Sequence, residues 1–345
     1  MGFRTALCLC ALLAAACSSD PVQEELRGPL APDHHPMAAG PYASADQVPV
    51  PEAPVFQPRQ PERRQLSNGV TVLLMPDRSR PLIELELRLR AGSYSDPAGR
   101  EGAAEMVAAL LREGGSERWP GDLLDEELAF RGAEIGFRVQ PRATVGRLEC
   151  LSEDFESALG MFSDVLRRPR FPDAELERLR ARMQSEVAQR DDDPGQAATR
   201  EALRAFYGAE DPRVRRQELA SLRAIGRADL AAFHAERFGC RQALVAVFGD
   251  FEVAGMLALL EASFGDWAPQ PATPVPVPTE APAPQERRGG LPPRDDVNNA
   301  QGRLLLEGVR RHHPDNPALE LGGHALGGGG LRHRMDSRIR SQRRR

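Results

Sequence analysis

From Ile83 to Arg90 the chain reads Ile-Glu-Leu-Glu-Leu-Arg-Leu-Arg, apolar and charged residues alternating without a break. A period of two puts one set of side chains on each side of an extended strand, so this segment predicts a strand buried on one face, as in an antiparallel sheet. Val70, Val72 and Leu74 repeat the pattern, as do Ile135, Phe137 and Val139, and it continues over Val145 to Leu151. Ala243 to Phe248 is apolar almost throughout and reads as a strand buried more fully. Elsewhere the period lengthens. Phe155, Leu159, Phe162 and Leu166 are spaced by four, three and four, and Leu176, Leu179, Met183 and Val187 recur in the same way, which predicts two amphipathic helices. Pro172 stands where a first-turn proline is tolerated, and Asp191-Asp192-Asp193-Pro194 ends the second helix before another begins. Because strands and helices do not alternate strictly, the order implies an α+β fold: two layers, an antiparallel sheet with helices packed on one face.

The regular pattern is confined to part of the chain. Met1 to Arg4 is a short positive segment, Thr5 to Ala16 is apolar, and Ala14-Ala15-Ala16 precedes Cys17. That is a secretory leader, too short to span a bilayer as a helix. Leu13-Ala14-Ala15-Ala16-Cys17 resembles a bacterial lipobox, in which the cysteine is acylated and becomes the mature N-terminus; Ala14-Ala15-Ala16 equally satisfies an ordinary secretory cleavage site. Both readings cut before Cys17, and they differ in whether the product is anchored. With Cys17 lipidated and Ser18 after it, the expected location is the periplasmic side of the outer membrane. Residues 18–62 are polar and Pro-rich, a flexible tether. A globular domain follows over 63–267, a Pro-rich linker over 268–290, and a short second unit over 291–345.

Composition adds little chemistry. All 45 basic residues are Arg, a signature of coding bias rather than of binding, and a net charge of -5 gives no reason to expect a nucleic-acid partner. The arginine run at 343–345 reads as a solvated end. With Cys8 and Cys10 in the leader and Cys17 acylated, only Cys150 and Cys240 remain; they either pair or stay as isolated buried thiols.

Several short motifs then carry a resemblance. Leu66-Ser67-Asn68-Gly69-Val70-Thr71-Val72, Arg90-Ala91-Gly92-Ser93 with Gly99 and Gly102, Arg168-Pro169-Arg170-Phe171, Phe233 with Phe238, and Val247-Phe248-Gly249-Asp250 occur in the order and spacing of the pitrilysin/insulinase family of zinc metallopeptidases. Asn299-Ala300-Gln301 and His324 to Gly330 resemble the start of that family's second, homologous domain, and in the family Ile339-Arg340-Ser341 is followed by more of it, so this second domain reads as truncated. The Leu66–Val72 segment resembles the family's opening strand.

The resemblance also says what should be present. In active members an H-x-x-E-H helix holds zinc through two imidazoles one turn apart, the intervening Glu activates a metal-bound water, and a distant Glu completes the metal shell. Aligned on Gly102 and Gly114, Glu105 falls at the first His, Ala108 at the base and Ala109 at the second His, while Glu186 falls at the distant ligand. The seven histidines are His34, His35, His234, His312, His313, His324 and His333, so no shift of register between residues 36 and 233 can supply an imidazole. Alanines offer a metal no lone pair, and two carboxylates are not the donor set zinc prefers. Neither a metal nor another cofactor is therefore expected, and no catalytic residue is assigned. Met106, Val107, Leu110 and Leu111 form one apolar face of this helix and Glu105, Ala108 and Ala109 the other, so the former metal face should be small, mostly apolar and open to packing or to a partner. Glu105 is expected as a solvated first-turn acid favoured by the helix dipole, and Glu186 as one charge beside Arg182 and Arg190 at (i, i+4) spacing. The resemblance implies a non-catalytic subunit that holds peptide or braces an active peptidase paralogue; the alternatives are an active zinc metalloendopeptidase acting on peptides and a truncated remnant without a stable function.

Overall fold

The computed structural model describes residues 58–275, except 242 and 272, and residues 302–328, except 304, 306 and 307. The leader, the Cys17 lipidation site, nearly all of the tether, most of the linker and the arginine run lie outside these residues.

Among the described residues six strands form one sheet: β1 Glu62–Gln65, β2 Thr71–Pro76, β3 Leu82–Leu89, β4 Glu134–Val139, β5 Thr144–Leu151 and β6 Leu244–Gly249, in the order β1-β2-β6-β3-β5-β4. The alternation in β3 does what its period requires. Ile83, Leu85, Leu87 and Leu89 are buried, while Glu84 and Glu86 are half-buried and Arg88 is exposed. Two details differ from the sequence reading. β6 pairs antiparallel with β3 but parallel with β2, because it re-enters the sheet from a helix and not from a hairpin, and a long crossover permits either direction. Nor is β6 buried on both sides. Val245 and Val247 are buried, but Phe248 is 47% exposed.

The opening strand is also displaced. Leu66 to Gly69 form the turn of the β1–β2 hairpin, in which Gly69 has φ 91° and Gly69 N donates to Leu66 O at 2.9 Å. Asn68 Nδ2 donates across to Phe264 O (2.6 Å) and Trp267 O (3.2 Å). The first part of that segment is thus a turn pinned to the carbonyls of Phe264 and Trp267, while Thr71 and Val72 begin β2.

The helices are α1 Ala103–Glu113, α2 Gly121–Phe130, α3 Phe155–Arg167, α4 Asp173–Gln189, α5 Pro194–Tyr207, α6 Leu219–Ala224, α7 Arg227–Arg237, α8 Val253–Phe264 and α9 Asn316–Gly323, the last continued by a π-helical turn over His324–Gly328. In α3 all four spaced residues, Phe155, Leu159, Phe162 and Leu166, are buried. In α4, Leu176, Leu179 and Met183 are buried and Val187 packs at the edge of the core. Asp193 caps α5, its side chain accepting from Gly195 N (2.7 Å) and Gln196 N (3.2 Å), one residue before Pro194 as an N-cap should. Gly146 on β5 lies beneath the stacked rings of Phe137 and Phe162, whose centroids are 5.4 Å apart; a Cβ there would come within 2.8 Å of Phe162. Cys150 and Cys240 are both buried free thiols, and burial, reinforced by Asp154 and Glu149, pushes the Cys150 thiol up to about 12. No described helix is long and apolar enough to cross a membrane.

Candidate functional site

The helix that should carry the chemistry is α1, and it is more deeply embedded than a one-sided amphipathic pattern implies. It packs against β4, α3, α4 and α7. Met106, Val107, Leu110 and Leu111 are buried as expected, but Ala103, Ala104 and Ala108 are buried with them. Ala108, at the family's base position, is 2% exposed, and Ala109 packs against the core. Packing, one of the two uses expected for this face, thus accounts for Ala108, while Ala109 stays half-buried at the edge of the core. The helices and strand packed around α1 account for the burial of Ala108.

Sequence reasoning missed the residue that builds the entrance to α1. Asp96 is buried, and its carboxylate accepts from Gly102 N and Ala104 N, each at 2.8 Å. It is the anchor for two of the helix's otherwise unpaired N–H groups. Gly102, with φ 105°, lets the chain turn back far enough for this to happen. Burial pushes the Asp96 carboxyl up to about 7, further raised by Glu105, against the opposing effects of those two N–H donors and of Arg215. From outside, the segment 211–221 clamps the same corner. Arg215 Nη2 donates to Asp96 O (2.6 Å), Arg215 Nε lies 3.6 Å from Glu101 Oε1, and Ser221 Oγ donates to Glu101 O (2.9 Å). Nearby, Arg213 stacks 3.7 Å over the ring of Tyr207 and pairs with Asp211 through both nitrogens.

Glu105 is not the solvated acid expected. It is half-buried, and desolvation raises its carboxyl above the usual range, opposed by its own backbone N–H and by Arg216. Glu186 is exposed on α4, but its ladder partners are engaged elsewhere. Arg182 bonds Glu113 (2.6 Å), and Arg190 makes two contacts with Glu218 (2.9 and 3.0 Å) and one with Gln217 O (2.8 Å). The histidines do not rescue the site either. His234 is on α7 with Nε2 2.8 Å from Leu166 O and its ring stacked on Phe238, and burial lowers its pKa. It is consumed by packing. His312, His313 and His324 are exposed, in and beside α9. Among the described residues no group of three His, Cys, Asp or Glu side chains is placed to hold a metal. Two carboxylates, one half-buried and one on an outer helix face, do not fit zinc.

Comparison with known proteins agrees with this architecture. The family model described as insulinase (peptidase family M16) matches residues 71–212, and the one described as the peptidase M16 inactive domain matches residues 224–344. The second match begins at the end of α6, within the sheet domain, since α7, β6 and α8 complete the same core. Cytochrome b-c1 complex subunit 1 of Bos taurus is 25% identical over 297 residues, 83% of this chain and 57% of its own length. An uncharacterized zinc protease of Mycobacterium leprae is 29% identical over 177 residues, 50% of this chain and 39% of its own. The chain thus spans less than two thirds of these curated relatives. A crystal structure of a peptidase M16 inactive domain from Pseudomonas fluorescens superposes with TM-score 0.65 at 25% identity, covering 83% of this chain and 68% of the other. A Helicobacter pylori protease matches in fold, with TM-score 0.57 at 18% identity over 64% of this chain and 54% of its own. On the two family matches and the shared architecture together, the chain belongs to the insulinase (M16) family of peptidases.

Proposed function

We propose that this chain is a non-catalytic member of its family, an envelope lipoprotein that braces an active zinc peptidase paralogue or helps it clamp extended peptide. One observation carries the reading: between residues 36 and 233 there is no imidazole, and the position the family uses for its base is a buried alanine, Ala108. General-base activation of water needs a titratable group within hydrogen-bond reach of it, and a methyl group supplies none. Support for a subunit role comes from the bovine relative, named as a subunit of the cytochrome b-c1 complex and similar over most of this chain. The N-terminal Leu13–Cys17 segment supports anchoring at the outer membrane, facing the periplasm, with lipid on Cys17.

The alternative, a zinc metalloendopeptidase, is favoured by the name of the mycobacterial relative. Purifying the chain alone and mixed with a peptidase paralogue, then measuring bound zinc by mass spectrometry and cleavage of a fluorogenic peptide, separates the two. The expected result is no zinc and no cleavage by the chain alone, with cleavage by the paralogue raised in the mixture. Stoichiometric zinc with cleavage by the isolated chain would overturn the non-catalytic reading, and an unchanged rate on mixing would overturn the partner role. Anchoring is tested by replacing Cys17→Ser, which should move the protein from the membrane fraction to the soluble periplasm.

A further inference from the structure

Away from α1, at the end of the sheet where β3 finishes and β6 begins, three arginines converge on one shallow cleft. Arg90 follows β3, Arg237 ends α7, and Arg241 lies in the turn leading to β6. The cleft is a shallow depression open to solvent, so an oxyanion held there lies against the guanidinium groups without being enclosed.

Arg237 and Arg241 are held in place by Gln270 and its neighbours. Gln270 Nε2 donates to Arg241 O (2.8 Å) and Arg237 O (3.4 Å), while its Oε1 accepts from Arg241 N (3.1 Å). Arg241 Nε donates to Gln270 O at 3.1 Å, and Arg237 Nη1 to Thr273 O at 3.3 Å. Gly239 lets the two segments meet, since a Cβ there would lie 2.3 Å from Gln270 Oε1. Arg237 is only 11% exposed, and its Nε is buried without a hydrogen-bond partner among the described residues.

The charge is not balanced. Glu236, 3.2 Å from Arg237, is the one carboxylate lining the cleft, so three guanidinium groups face a single acid, an excess of two positive charges. Neither Arg90 nor Arg241 has a carboxylate partner among the described residues. Like charges gathered around a concavity, one of them buried and braced, repel one another unless an anion sits between them, and the guanidinium fork suits the oxygens of phosphate. We propose that this cleft is an anion site for a phosphomonoester-class dianion, whose charge matches the excess, supplied either as a free phosphate compound or as a lipid headgroup. The assignment stands apart from the reading of α1.

The test uses the full chain with inorganic phosphate, titrated calorimetrically at constant ionic strength against acetate. Saturable phosphate binding with Kd on the order of 1 mM or tighter is expected, with acetate at least roughly tenfold weaker. Arg90→Gln and Arg241→Gln, both on exposed side chains, should each weaken phosphate roughly tenfold or more, whereas Arg178→Gln on the far surface of α4 should leave it unchanged. Absence of saturable phosphate binding, or the same affinity in Arg90→Gln as in the parent, would overturn the site. Sedimentation with vesicles of phosphatidic acid in phosphatidylcholine then identifies the source. Co-sedimentation abolished by Arg90→Gln assigns a headgroup; phosphate binding without co-sedimentation assigns a soluble phosphate compound.

Discussion

Replacing Ala108→Glu restores the side chain that the family uses as base and puts the closure of the old metal face to a quantitative test. At 2% exposure the added carboxymethyl arm has no solvent to enter. Overpacking costs about 1–3 kcal/mol, and an uncompensated buried carboxyl has its pKa raised by up to about 3–5 units. If the new group stays protonated in the folded state up to pH 7, the free energy of ionisation it forgoes, relative to an unfolded pKa near 4.3, is about 1.36 × 2.7, or about 4 kcal/mol at pH 7, but only about 1 kcal/mol at pH 5. The variant should therefore lose about 5–7 kcal/mol at pH 7 and about 2–4 kcal/mol at pH 5, relative to the parent at the same pH. Urea unfolding followed by circular dichroism at both pH values measures this directly, and the difference between parent and variant removes the contributions of all other titrating groups. A loss below about 1 kcal/mol that is the same at both pH values would show that the carboxylate reaches water. The face would then be open, and the packing argument against catalysis would fail.

Two further outcomes follow from single groups. Asp96 has a folded pKa of about 7 against 3.8 for the free group, so the folded state holds its proton where the unfolded chain releases it. Stability from this residue is greatest below pH 4 and falls as pH rises toward 7, by up to about 4 kcal/mol; Asp96→Asn should flatten that slope in a pH series of urea midpoints, and an unchanged slope would refute the assignment. Gly146→Ala drives a methyl to 2.8 Å from Phe162 and 2.9 Å from Phe137, and should lower stability by about 1–3 kcal/mol in thermal melts, with Phe137→Leu on the same background recovering part of the loss.

How far the sequence could be read depended on the range of each interaction. The alternation of Ile83 to Arg90 and the spacing of Phe155 to Leu166 record which face is buried, a property each segment carries by itself, and both became elements with the expected residues inside. The absence of histidine between residues 36 and 233 was equally legible, because a missing residue type needs no geometry to be recognised. What could not be read was set by chain segments arriving from elsewhere. Ala108 looks as though it belongs to the open face of a helix until α4 and α7 close around that helix, and the parallel β2–β6 pairing is visible in neither strand alone. Asp96 is the clearest case. It precedes α1 by seven positions, too far for the rule that seeks a capping residue next to the helix, and only the left-handed turn at Gly102 brings its carboxylate back onto the first N–H groups. The Asp-Pro pair at 96–97 and the glycines at 99 and 102 were the available signal, a turn signature ahead of a helix. From a distant segment Arg215 donates to the Asp96 carbonyl, so the corner beside Glu105 is held by an arginine and a buried acid. The entrance to α1 is thus fastened by the protein's own groups, a carboxylate from ahead of the helix and a guanidinium from far along the chain.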